Sequence, residues 1–122
     1  MPAIPPVLLK KLYVKGSLRA EEDGFALDLK NTIAPGTIQG FRGLELDGAP
    51  VDLAQVTVVQ PDGPARPAGE ISAEAPIQFP LGATFTLRVT GASLKPGDHR
   101  LKIRVVVQEV GPLEIPVTDR AG

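Results

Sequence analysis

Leu94-Lys-Pro-Gly-Asp-His-Arg-Leu-Lys-Ile-Arg-Val-Val-Val-Gln-Glu-Val110 decides the fold class. A Pro-Gly turn feeds a segment whose residues alternate strictly. His99, Leu101, Ile103, Val105 and Val107 fall on one face, and Arg100, Lys102, Arg104, Val106 and Gln108 on the other. A period of two means a strand with one face on a core and one in water. That pattern belongs to an antiparallel β-sandwich rather than to a catalytic α/β domain.

The pattern recurs outward from this strand. Phe85, Leu87 and Val89 alternate with Thr84, Thr86, Arg88 and Thr90, and Val56 to Val59 is a short strand. Phe25, Leu27 and Leu29 alternate with Ala26, Asp28 and Lys30, behind a Glu21-Glu22-Asp23-Gly24 turn. Val7 to Leu18 reads as the first strand, with Leu12, Val14 and Leu18 on one face, Tyr13 opposite and an interruption at Gly16. Thr37 to Leu46 reads as a third strand with Ile38 inward and bulges marked by Gly40 and Gly43. Asp47-Gly48 is a tight-turn signal, because glycine adopts positive φ at little cost. Leu113, Ile115 and Val117 form a final strand, and Pro116, lacking a donor, places it at a sheet edge.

Thirteen glycines and thirteen prolines in 122 residues follow no repeat, so they read as turn punctuation between short strands. No helix is expected beyond one turn within Val51 to Val56. The expected fold is therefore all-β: an antiparallel immunoglobulin-like, Greek-key β-sandwich of about seven to eight strands. Residues 1–6 are expected to be an extended arm, 7–118 a single sandwich domain and 119–122 a polar tail. Residues 60–76, rich in Pro, Ala and Gly, read as a surface connection.

Composition narrows the function classes. Thirteen basic against fourteen acidic residues leave a net charge of −1, without the basic excess of a nucleic-acid binder. The Arg100, Lys102, Arg104 stripe reads as a solvated face. Without cysteine, disulfides, zinc–thiolate sites, iron–sulfur clusters and a thiol nucleophile are excluded. No signal peptide or membrane helix is read, and the expectation is a soluble cytoplasmic protein.

Chemistry is sparse. His99 is the one histidine, and Ser17, Ser72 and Ser93 lack a Gly-x-Ser-x-Gly elbow, so no catalytic residues are assigned. His99 follows a Pro-Gly-Asp turn where Asp98 can hold its ring, and the two form a candidate polar site. Glu21, Glu22 and Asp23 are adjacent, but successive strand residues point opposite ways, so no metal site is expected. Gly36, Gly40 and Gly43 lack the following Lys-Ser/Thr of a phosphate loop, and no cofactor is expected. Val106, Val110, Leu113 and Ile115 lie near an edge and form the candidate interface for a protein partner or a second copy.

The Leu-x-Pro-Gly-Asp-His-x-Leu-x-Ile-x-Val pattern from Leu94 resembles the E–F corner and F strand of immunoglobulin-like and fibronectin-like domains, with His99 near the aromatic that tethers that corner. With Lys15-Gly-Ser-Leu18, Gly24-Phe-Ala-Leu-Asp-Leu29 and Gly43-Leu-Glu-Leu-Asp-Gly48, it also resembles the small β subunits of C-glycoside deglycosidases, in order over residues 12–110. In those enzymes a companion barrel subunit carries the metal chemistry, so the resemblance implies an accessory subunit without its own active site. The chain is also similar to small microbial proteins bearing a hydroxymethylglutaryl-CoA reductase label. Such a reductase needs a cofactor-binding domain and a Glu-Lys-Asp-His set, for which this sandwich has no room. The expected function is a non-catalytic binding module, either a small subunit of a larger enzyme or a homo-oligomer. The alternative is a carbohydrate-active or other enzyme domain using His99.

Overall fold

The computed structural model describes residues 4–61 and 63–121. Among the described residues, ten strands form two antiparallel sheets: β1 (Arg19–Glu21), β2 (Gly24–Lys30), β3 (Gly36–Leu46), β4 (Ala49–Pro50), β5 (Val56–Val59), β6 (Arg66–Pro67), β7 (Ile77–Phe79), β8 (Thr84–Thr90), β9 (Gly97–Val107) and β10 (Gly111–Ala121). One sheet has the order β1-β2-β8-β5-β6, the other β10-β9-β3-β4, and β7 pairs with the start of β3. The all-β sandwich read from the sequence is what the chain forms. It has more strands than expected because β4, β6 and β7 are two- or three-residue pairings too short to leave a periodic signal.

Alternation carries the core as expected. Phe85, Leu87 and Val89 of β8 face Leu101, Ile103 and Val105 of β9 within one buried cluster. Each such side chain contributes about 2 kcal/mol by leaving water. On the outer face of the second sheet, Arg104 pairs with Glu45 and lies near Glu114, which also approaches Lys102. Lys102 and Arg104 of the basic stripe are thus part of a cross-strand charge ladder. The bulges fall beside Gly40 and Gly43. Asp47 and Gly48 both have positive φ, 53° and 87°, as a two-residue turn between β3 and β4 requires. Gly24 opens β2 because a Cβ there would run into the Val89 carbonyl of the neighbouring strand.

The ends of the chain depart from expectation. Val7 to Leu18 is not a strand. Pro6–Lys10 forms a short helix, α1, with Pro6 in its first turn, where the missing amide costs nothing. Tyr13 then makes an isolated bridge to Leu29, and regular pairing starts only at Arg19. Pro6 therefore leaves the expected arm, whose residues 1–3 lie outside the described residues. So do Asp62, in the expected surface connection at 60–76, and Gly122 of the expected tail. Asp119, Arg120 and Ala121 of that tail continue the β9–β10 ladder, opposite His99, Asp98 and Gly97. The single turn near Val51 is a 3₁₀ turn over Leu53–Gln55, capped by the Asp52 carboxylate on the Ala54 amide. A second such turn, Ala68–Glu70, was not expected. Arg66 orders the connection around it by donating to the carbonyls of Pro76, Ala75 and Glu70.

β10 is an edge strand, as Pro116 implied. Pro112 and Pro116 have the same parity, so both missing donors fall on one side of the strand. The uninterrupted ladder with β9 puts that side at the free edge, where it discourages strand addition. No helix among the described residues is long and apolar enough to cross a membrane.

A polar knot holds the N-terminal segment to β10. The Tyr13 hydroxyl donates to Asp119 Oδ2 (2.5 Å) and accepts from the Leu18 amide (2.9 Å), while the Gly16 amide reaches the same carboxylate oxygen (2.7 Å). Burial, then the bond to Asp119, raises the Tyr13 pKa. Burial alone would raise Asp119 too, but the Tyr13 hydroxyl and the Arg120 and Gly16 amides outweigh it and hold the carboxyl below its ordinary range. Tyr13→Phe is expected to cost about 1 kcal/mol in urea unfolding with an unchanged m value. No measurable loss would show that the knot contributes nothing.

Candidate functional site

His99 opens the core face of β9 and is 8% exposed. Its partner is not Asp98, which is exposed and points to the other face. Nδ1 lies 2.6 Å from Asp47 Oδ2, and Nε2 lies 2.5 Å from the Lys95 carbonyl. Asp47 also accepts from the Arg100 amide (2.8 Å). Both ring nitrogens meet acceptors, an arrangement that only the imidazolium satisfies in full. The Lys95 carbonyl first, then Asp47, raises the His99 pKa; the Arg100 amide first, then His99, lowers that of Asp47. A ring with both nitrogens engaged is a corner tether and has no free lone pair for general base catalysis. Glu21 is likewise taken, pairing with Arg88 across β2 (2.9 Å).

The four expected interface residues separate. Val106 lies half-buried beside Gly40. Ile115 is 4% exposed and belongs to the core, because odd-numbered residues of β10 face inward; it is not available to a partner as an edge side chain. Val110 and Leu113 are half-buried, and with Ile115 they line something the sequence did not disclose.

That feature is a cleft of about 340 Å³ between the sheets, at the end where β9 turns into β10. One wall comes from Leu29, Val58, Phe85 and Leu87 of the first sheet. The other comes from Ile38, Phe41, Val105 and Ile115 of the second. Ile4, Pro5 and Leu8 close one side of the mouth, and the β2–β3 loop closes another. Phe79 and Phe85 meet inside with ring centres 4.3 Å apart. Among the described residues that line it, only Asn31 and Glu109 have polar side chains.

Both are spent on backbone. Asn31, 4% exposed, donates to the carbonyls of Ala34 (2.8 Å) and Phe79 (2.7 Å) and accepts from the amides of Ile33 and Ala34. It pins the β2–β3 loop to β7 and so shapes the mouth. Glu109 accepts from the Thr37 amide (2.9 Å) and hydroxyl (3.0 Å), and the Thr37 amide first among these holds its carboxyl below the ordinary range. An Asn followed by turn residues signals the local half of the Asn31 network. Its bond to Phe79, 48 residues away, leaves no trace in the sequence.

Among the described residues three large hydrophobic side chains are exposed, and one of them, Leu8, lines the cleft. Val7 (61%) and Leu8 (38%) sit on α1, and Leu81 (58%) precedes Gly82, whose amide bonds the Asn31 carbonyl. At about 340 Å³ this apolar-lined recess falls within the size range of ligand clefts.

Fold and cleft together define an antiparallel β-sandwich domain with an apolar recess at one end. Residues 8–121 match the family described as hydroxymethylglutaryl-CoA reductase, N-terminal domain, and the chain belongs to that family. No curated protein matches it. Among solved structures, a family 123 glycoside hydrolase from Clostridium perfringens aligns at 11% identity with a TM-score of 0.39. The alignment covers 85% of this chain, which spans only 22% of that enzyme. A likeness of that size carries no argument.

Proposed function

We propose that this domain works by binding, as an accessory or small subunit beside a larger enzyme chain that carries the chemistry. The observation behind the reading is the exposure of Val7, Leu8 and Leu81, together with the apolar cleft that Leu8, Val110 and Leu113 line. Apolar side chains exposed this way are how a small domain adheres to a partner. The resemblance to small β subunits whose barrel companions hold the metal supports the reading. The order β1-β2-β8-β5 against β10-β9-β3 supports an immunoglobulin-like reading of the fold, since it follows the two sheets of that architecture.

The test is comparative capture from the native lysate. The baits are the wild-type chain and a Val7→Glu/Leu81→Glu variant, whose changes lie on exposed side chains and spare the fold. One protein should be retained stoichiometrically by the wild type and about tenfold less by the variant. Equal retention by both baits would overturn the reading. Self-association of the wild type in light scattering, dissolved by the same variant, would replace it with a homo-oligomer.

A further inference from the structure

We propose that the interior of the cleft is a site for a small amphiphile with a hydrocarbon tail and a cationic or neutral head. The volume sets the size. An engineered cavity of roughly 150 Å³ stays dry and takes benzene. At about 340 Å³ the cleft has more than twice that room. On the same scale it holds a tail on the order of eight to twelve carbons.

The lining sets the chemistry of the tail. Val58, Phe85 and Leu87 face Phe41, Val105 and Ile115 across the gap, and none of them can hydrogen-bond through its side chain. Asn31 uses both amide hydrogens and both carbonyl lone pairs on backbone groups, so nothing is left for a ligand. A polar group carried inside would lose its water and find no partner, so the head of the ligand must stay at the mouth.

The mouth sets the sign of the head. Among the described residues lining the cleft, Glu109 alone is ionisable. Thr37 grips both of its carboxylate oxygens and fixes their position, and each oxygen keeps a lone pair for a donor. A carboxylate or phosphate head would stand against this charge, whereas an ammonium or hydroxyl head would donate to it. The inference does not rest on the accessory-subunit reading. That reading is tested through Val7 and Leu81, which do not line the recess, and either can fail alone.

Octylammonium chloride and sodium octanoate, matched in tail and opposite in head, are the probes. Each is titrated into the full chain at neutral pH, with methyl resonances of Val58, Leu87, Val105 and Ile115 followed by NMR. The expected result is shifts confined to cleft methyls, with octylammonium binding about threefold to fivefold tighter than octanoate, the range of a solvent-screened ion pair. Glu109→Gln should bring that ratio to about one. Leu113→Trp, at the half-buried mouth, should abolish binding of both; should it fail to fold, the wild-type and Glu109→Gln titrations still decide. Absence of shifts, shifts scattered over the surface, equal affinity of the wild type for both probes, or preference for octanoate would each overturn the proposal.

Discussion

Asn31→Leu is expected to lower stability by about 3–4 kcal/mol and the melting temperature by roughly 10 °C or more. Leucine is close to asparagine in size, so no cavity explains the loss. What changes is hydrogen bonding. The carbonyls of Ala34 and Phe79 lose their donor, and the amides of Ile33 and Ala34 lose their acceptor. Each buried group left unpaired costs about 1–3 kcal/mol, partly relieved where the loop opens to water. The backbone bonds of residue 31 itself, to Ala83 and from Gly82, survive the change. The defect is therefore confined to the β2–β3 loop and β7, at the mouth of the cleft. Amide exchange should accelerate most at Ile33 and Ala34, and far less in β8 and β9. Differential scanning calorimetry reads the first effect and hydrogen exchange the second. A loss below about 1 kcal/mol would mean that water replaces the side chain without penalty and that Asn31 does not hold the mouth.

How much was legible follows from which forces act locally. β5 and β8 could be read to the residue, and β9 to within three residues at each end of the Leu94–Val110 segment, because a strand with one buried face writes itself as alternation. The Asp47-Gly48 turn was legible because positive φ restricts residue type. Val7 to Leu18 was misread because Leu8, Leu9 and Leu12 also fit the i, i+3, i+4 spacing of a helix face, and Pro6 favours a helix start as readily as an extended arm. The tail was misread because Asp119 and Arg120 look solvent-loving; only the ladder with β9 and the bond from Tyr13, 106 residues away, hold Asp119 in place. His99 was correctly placed on the core face, but the wrong acid was assigned to it. Asp98 is adjacent in sequence and opposite in direction, whereas Asp47 arrives from a turn 52 residues earlier. The cleft left no sequence signal. Leu87 or Ile115 reads as a core residue whether its neighbours close on it or stop short, and the gap is a property of how two sheets and four connections meet.

His99→Phe is expected to cost about 2 kcal/mol in mildly acidic solution and distinctly less in alkaline solution. The His99 pKa is raised above its ordinary value of 6.5 by the Lys95 carbonyl and Asp47. A raised histidine stabilises the fold fully below the unfolded pKa, and that contribution disappears as pH climbs through the folded value. Asp47 works in the opposite sense. Its pKa is lowered from 3.8, so its contribution is present above that value and fades as pH falls through the folded one. The pair is therefore at full strength between about pH 4 and pH 6.5, when the imidazolium faces the carboxylate. Urea unfolding of wild type and His99→Phe at about pH 5.5 and about pH 9 measures this, the penalty shrinking at the higher pH. Asp47→Asn separates charge from shape, because its amide oxygen can still accept from the Arg100 amide, as Asp47 Oδ1 does now. It should flatten the pH dependence while retaining part of the stability. A penalty equal at both pH values, or larger in alkali, would show that the ring is held neutral and that its role is packing alone. The tether lies at the Leu46 end of β3 and the cleft at the Gly36 end, so its titration should leave the cleft methyls unmoved. A pH-dependent shift of Leu87 or Ile115 with the midpoint of His99 would instead show that the two ends of the sandwich are coupled through β3 and β9.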